Sequence, residues 1–429
     1  MNLLIKGVEI VDIRSSLNGK RCDFYIEDNR YKKIAGSITK NECKDDTIVF
    51  DATGKKISVG WLDMHANFRE PGHEQKESIS SGQNAAAHGG YTGVVIMPST
   101  MPPLSSRSDI EYVISKSKNN VTDVYPCGCL TIERQGKEIT EMYDMQNGGA
   151  VAFTDDKRYI KDSGVMLRAL QYAGSIGSRV LIYCDDTGLS GDSSANESAN
   201  TTLLGFKGSP TIAEEIALLR DITLCKYAGV PVHVSGISSR EAIGIIRTAK
   251  KQGIPVTCEV NVHHLLLSDD MLGDFDSNYK VKPPLRSIGD VASLCDAVAD
   301  DTIDVIVSDH SPHDSESKNV EWDFADFGII GLESAFGVMN TALRDKIPAD
   351  KLIEKITINP RKILGIPLPS FTEGEKANFT IFDPEINYIF SKKDIKSLSS
   401  NTPFLDKQLI GKAIAVFNNG LFVKSSDGN

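Results

Sequence analysis

The feature that most limits the fold is a repeated alternation between residues 59 and 308, where short apolar runs take turns with segments of helical periodicity. The runs are Val59–Asp63, Gly93–Met97, Val121–Tyr125, Ala150–Thr154, Val180–Cys184, Val232–Gly236, Pro255–Val260 and Ile303–Ser308. The helices between them have local support. Ile212, Ile216, Leu219 and Ile222 follow Thr211 at helical spacing, and Ser238 with Glu241 three residues on reads as a capping box ahead of Ile243 and Ile246. Strands that alternate with helices imply parallel βα units. Eight of them favour a closed (β/α)8 barrel of the TIM type over an open doubly wound sheet.

The two ends read differently. Leu3–Val11, Asp23–Glu27, Lys33–Ile38 and Thr47–Asp51 are strand-like and separated by polar turns, and strand text returns at Asn378–Phe382 and Ala413–Val423. A chain of 429 residues also exceeds what one core normally fills. We therefore expect two units: residues 1–58 with 370–429 as a small β-sandwich, and residues 59–369 as the barrel.

Composition narrows the partners. A formal charge of -11, with no basic stripe, argues against nucleic acid, since phosphate backbones would be repelled. There is no apolar run of membrane-spanning length and no secretory pattern at the start, so a cytoplasmic protein without membrane contact is expected. The eight cysteines are scattered without zinc-ribbon or thioredoxin spacing and read as reduced thiols.

In a barrel of this kind the reacting groups lie just beyond the C-terminal ends of the strands. Here those positions hold Asp63 to Gly72 (DMHANFREPG), Asp155 and Asp156, Cys184 to Asp186, Gly236, and Asp309 to His313 (DHSPH). Titratable groups from strands far apart in sequence thus meet at one rim.

The segment around His65 resembles the Asp-x-His-x-His-x-Arg-Glu-Pro-Gly signature of type I dihydroorotases, members of the amidohydrolase superfamily. Further similarity lies in Cys258-Glu259-Val260 with His263-His264-Leu265, Pro283 to Arg286, Ser308 to His313, Gly328 to Glu333, and Asn359-Pro360. The resemblance implies interconversion of carbamoyl aspartate and dihydroorotate on one or two zinc ions. Zinc would polarise the carbonyl and activate a bound water, and Asp309 would shuttle protons as the catalytic aspartate.

By the same resemblance the metal ligands are His65, a histidine at 67, the acid at 155 or 156, with the family spacing back from 184 favouring Asp156, a histidine at 184, a histidine at 236, and Asp309; the chain has Asn67, Cys184 and Gly236 instead. A cysteine thiolate can ligate zinc, an asparagine amide is a weak ligand, and glycine offers none. On the substrate side Arg69 and His313 are present, while Ser99 and Lys282 stand where the family has asparagine.

These changes lead to the expectation of a dihydroorotase homologue that is inactive or strongly impaired, with zinc absent or weakly held. It would be kept as a structural or regulatory subunit, as a homo-oligomer or with aspartate transcarbamoylase. The alternatives are a mononuclear zinc cyclic-amide hydrolase using His65, Asp156, Cys184 and Asp309, and a module that binds a carboxylate through Arg69 and His313. His233 and the His263-His264 pair read as packed, structural histidines. With the metals gone, Lys282 is expected to reach Asp309 or Asp156 and balance their charge.

Overall fold

The alternation predicted from the sequence is realised as a barrel. The computed structural model describes residues 1–425, so the last four residues of the expected C-terminal unit lie outside the described residues. In chain order the strands are β1 (Leu3–Ile10), β2 (Arg21–Glu27), β3 (Arg30–Ala35), β4 (Ile48–Asp51), β5 (Lys56–Val59), β6 (Trp61–Ala66), β7 (Tyr91–Ile96), β8 (Asp123–Gly128), β9 (Ala152–Phe153) and β10 (Val180–Tyr183). They continue as β11 (Ala195–Asn196), β12 (Gly208–Ser209), β13 (Val232–Ser235), β14 (Val256–Asn261), β15 (Val305–Val307), β16 (Phe379–Ile389), β17 (Gln408–Asn418) and β18 (Leu421–Lys424).

The barrel runs β6-β7-β8-β9-β10-β13-β14-β15, with every pairing parallel. It closes where Ala66 pairs with His310. Asp63 reinforces the seam, because its carboxylate accepts the Ser308 N–H at 2.8 Å and the Ser308 hydroxyl at 2.6 Å. Burial pushes the Asp63 carboxyl up to about 7, against the pull of those two hydrogen bonds.

Strand phase sorts the side chains into two layers. Val180, Ile182 and Cys184 at β10, Val232 and Val234 on β13, and Val256, Cys258 and Val260 on β14 share an outer core with helix residues such as Leu170, Leu218 and Ile246. Leu62, Met64, Val95, Leu181, Val305 and Val307 fill the lumen. Because neighbours on a strand face opposite ways, Tyr183, His233, Ser235, Glu259 and Asn261 face inward.

β6 departs from this regularity. Asp63 pairs with Val94 but Ala66 pairs with Ile96, so β6 carries one extra residue. Such a bulge re-aims a side chain, and here it turns His65 into the lumen directly after Met64.

Both chain ends build one eight-stranded sheet, ordered β18-β17-β16-β5-β1-β2-β3, with β4 also on β1. Tyr31 on β3 and Phe379 on β16 lie four strands apart in that order. In a flat sheet they would be roughly 19 Å apart. Their ring centroids are 6.4 Å apart, so the sheet bends back on itself like a sandwich around Phe24, Tyr31, Phe371 and Phe379.

Two sequence expectations are corrected here. Val59 ends β5 of the terminal sheet, antiparallel to β16, and the barrel begins at Trp61. Gly60 lies between them, where a Cβ would come within 1.9 Å of the Asn378 side chain. The cap of the helix Arg240–Lys251 is Ser239, whose hydroxyl accepts from Ala242. Ser238 instead donates to Glu214 at 2.9 Å.

Between β16 and β17 the chain ties down the loops that follow β6 and β15. Asn401 donates to the carbonyls of Ser311 and Gly328 and accepts from the His313 N–H, and the Ser399 hydroxyl donates to the Lys76 carbonyl. Among the described residues, no helix is long and apolar enough to cross a membrane.

Candidate active site

His65 stands at the centre of the mouth. Its Nδ1 lies 2.7 Å from Glu259, its Nε2 lies 3.1 Å from Asp156, and Asp309 is 3.8 Å from the same nitrogen. Burial disfavours charge on the ring, but hydrogen bonds to Asp156 and Glu259 outweigh it and hold His65 well above the usual histidine range. Glu259 is shared, since its second oxygen lies 3.0 Å from His233, whose other nitrogen meets the Thr257 hydroxyl at 2.8 Å. Burial would raise the Glu259 carboxyl, yet the two histidines bring it down to about 2.

Asp156 and Asp309 come from opposite sides of the barrel, and both adopt positive φ, 55° and 49°, a backbone region that non-glycine residues rarely occupy. The Asp156 N–H is held by the Thr154 hydroxyl at 2.9 Å, and Arg134 lies 3.8 Å from its carboxylate. Burial opposes its charge, but His65, then Arg134 and Lys157, hold its carboxyl far below the usual range. Asp309 accepts from Asn261 at 2.9 Å. Its two oxygens lie 2.7 and 2.8 Å from the Lys157 ammonium.

Asp155 plays a different part. Its carboxylate takes the N–H groups of Leu130 and Thr131 and the Thr131 hydroxyl, which fixes the neighbouring loop.

The remaining positions expected to hold metal do not converge on this group. Asn67 is at the mouth, but its amide oxygen accepts the Ser99 hydroxyl. Cys184 faces the helix layer, where burial, followed by the fields of Asp221 and Glu214, pushes its thiol well above the ordinary range and keeps it protonated. The inward residue at the end of β10 is Tyr183. Gly236 has φ of 66° and supplies no side chain. Zinc needs about three or four converging donors. The six positions expected to supply them place only His65, Asp156 and Asp309 together, with an ammonium already seated on Asp309, so they do not fit a pair of zinc ions.

Arg69 and His313, expected on the substrate side, lie together. Arg69, at φ of 49°, donates to the Ser311 hydroxyl at 2.7 Å and the Pro312 carbonyl at 3.1 Å and lies 3.0 Å from His313. His313 in turn meets Lys76 and Asp326. Burial brings the His313 ring down to about 4, with Asp326 pulling the other way.

Lys282 does not balance Asp309 or Asp156. Its ammonium pairs with Asp185 at 3.0 Å and sits 5.8 Å over the Tyr183 ring. The cation at Asp309 is Lys157, which the sequence reading passed over. His233 and Glu259 were also missed as members of the site. Both alternate with outward-facing neighbours, Val232 with Val234 and Cys258 with Val260, and that phase is the signal that would have found them. His263 lies just past β14 in the turn Val262–Leu265, 4.0 Å from Asp309. His264 meets the Pro284 carbonyl at 3.2 Å.

Comparison with known proteins accords with this geometry. A family described as dihydro-orotase-like matches residues 54–242. A dihydroorotase of Pelotomaculum thermopropionicum is 39% identical over 426 residues, covering 99% of this chain and 98% of the relative. One from a Thermoanaerobacter species is 42% identical over 381 residues, covering 88% of each. Among solved structures, an L-hydantoinase of Arthrobacter aurescens superposes with a TM-score of 0.85 at 21% identity, covering 99% of this chain and 96% of that one, a likeness of fold. Full-length similarity of this order, on a barrel with His65, Asp156 and Asp309 at its mouth, makes the chain a member of the dihydroorotase family within the amidohydrolase superfamily.

Proposed function

We propose that this chain is a dihydroorotase homologue of pyrimidine biosynthesis in which the metal-dependent interconversion of carbamoyl aspartate and dihydroorotate is lost or strongly impaired. It is kept as a structural or regulatory subunit of a cytoplasmic assembly. The family implies a metal cofactor in general, and the resemblance names zinc.

The observation that carries the reading is the donor set. Asn67 is engaged by Ser99, Gly236 has no side chain, and Cys184 faces the outer core. Without a metal-activated water, hydrolysis of a ring amide loses its nucleophile and its Lewis acid together. The mononuclear alternative depends on Cys184 as a ligand and is not favoured by that side chain's outward orientation.

Arg69, Ser99, Lys282 and His313 remain the proposed substrate-side residues, and a retained carboxylate site is compatible with a regulatory role. A second copy of the chain, or aspartate transcarbamoylase, is the partner we propose for the retained scaffold.

Metal analysis of protein purified without chelators, alongside dihydroorotate turnover, tests the reading. Zinc well below stoichiometric content and no turnover approaching a kcat of about 1–1000 per second are expected. Two tightly held ions with robust turnover would overturn it. Gentle lysis followed by co-purification should recover an oligomer or a stoichiometric partner, and a lone monomer would remove the scaffold role.

A further inference from the structure

We propose that Lys157 is a tethered cation that stands in for metal charge: its ammonium neutralises Asp309 from within the chain and keeps divalent ions off the carboxylates of the mouth. The inference rests on the reading of lost metal chemistry and adds the residue that maintains the metal-free site.

The geometry is that of a built site. The Asp309 side chain is 1% exposed and the Lys157 side chain 16% exposed, and the ammonium reaches both carboxylate oxygens at 2.7 and 2.8 Å. Lys157 directly follows Asp156, whose left-handed backbone and Thr154 contact fix the turn from which the lysine departs. The partners of the mouth carboxylates differ. Asp156 has His65 and Arg134, Glu259 has His65 and His233, and Asp309 has Lys157 in direct contact and His65 at 3.8 Å. A buried carboxylate left alone would be costly, so the surroundings of Asp309 require such a partner.

Unpaired polar atoms mark the same place. The ring nitrogens of His263, the side-chain oxygen of Asn261 and Oδ1 of Asp309 are buried without hydrogen-bond partners among the described residues. His263 comes within 4.0 Å of Asp309, and Asn261 donates to it. These donors surround a carboxylate that a divalent ion could share, and the lysine ammonium already lies within ion-pair distance of both its oxygens, hydrogen-bonded to one. Its positive charge repels an entering cation, and its hydrogen bond to one carboxylate oxygen, with its ion-pair contact to the other, places an ammonium where the ion would sit.

The test is Co2+ titration, followed by its visible absorption, of wild-type protein, Lys157→Met and Lys157→Arg. Lys157→Met is expected to bind Co2+ at least tenfold more tightly than wild type, and Lys157→Arg to bind no better than wild type. Urea denaturation supplies a readout that does not depend on metal. Lys157→Met and Asp309→Asn should each destabilise the protein, and the double variant should be more stable than the sum of the two losses predicts. Equal Co2+ affinity in wild type and Lys157→Met, or strictly additive destabilisation, overturns the inference while leaving the reading of lost turnover intact. Robust zinc-dependent turnover by the wild type would overturn that reading independently.

Discussion

Two lysines approach the same barrel mouth and meet different surroundings. Lys157, after β9, is 16% exposed and faces an aspartate that is 1% exposed, whereas Lys282, after β14, is 31% exposed and faces Asp185, whose side chain is 12% exposed. At about 3 Å and an effective dielectric of roughly 20, either pair would attract by about 5.5 kcal/mol before desolvation is counted. Solvent contact weakens the pair nearer the surface, toward the roughly 0–1 kcal/mol of a fully exposed one. Removing one member of a buried pair leaves an uncompensated charge and costs about 3–5 kcal/mol. Depth therefore decides which lysine matters to the lumen, and identity at an aligned position does not.

The contrast is open to direct attack. The largest effect is expected at Glu259, where one buried carboxylate serves both His65 and His233. Glu259→Ala should cost about 3–5 kcal/mol in urea denaturation at neutral pH. A loss below about 1 kcal/mol would mean that lumen charges are solvated like those of the rim, and the comparison would collapse.

An intermediate effect is expected at Cys184. Cys184→His installs the residue type that the resemblance implies, but in the helix-facing core, so overpacking should destabilise by about 1–3 kcal/mol. Zinc content should not rise. A gain in tightly bound zinc would show that this side chain reaches the lumen.

The smallest effect is expected at Lys282, where Lys282→Ala should change stability by about 0–1 kcal/mol. A loss comparable to that of Glu259→Ala would place Lys282 among the lumen charges after all.

The sequence made the architecture readable because the barrel rests on periodicity. Each of the eight expected barrel strands has a counterpart within a few residues, from β6 to β15. The site was less readable, and the reasons are local. Cys184 follows a regular strand, and counting alternate residues from Leu181 would have placed Tyr183 inward instead. His65 is the reverse case, since strict alternation from Met64 would send it outward and only the β6 bulge brings it in. Lys157 could not be read from periodicity at all. It lies in a turn whose direction is set by the left-handed Asp156, and its partner is 152 residues away.

The joint between the terminal sheet and the barrel has a consequence for how the chain is made. The Trp61 N–H is satisfied by the Thr380 hydroxyl, 319 residues further along, and β5 beside it pairs with β16. At a synthesis rate of about 5–20 residues per second, that partner arrives on the order of tens of seconds later. Until then the nascent chain carries an open strand edge next to Ile57 and Val59, which end fully packed in the finished sheet. A version truncated ahead of β16 would leave the β5 edge unpaired, while β1 to β5 could still pair with one another.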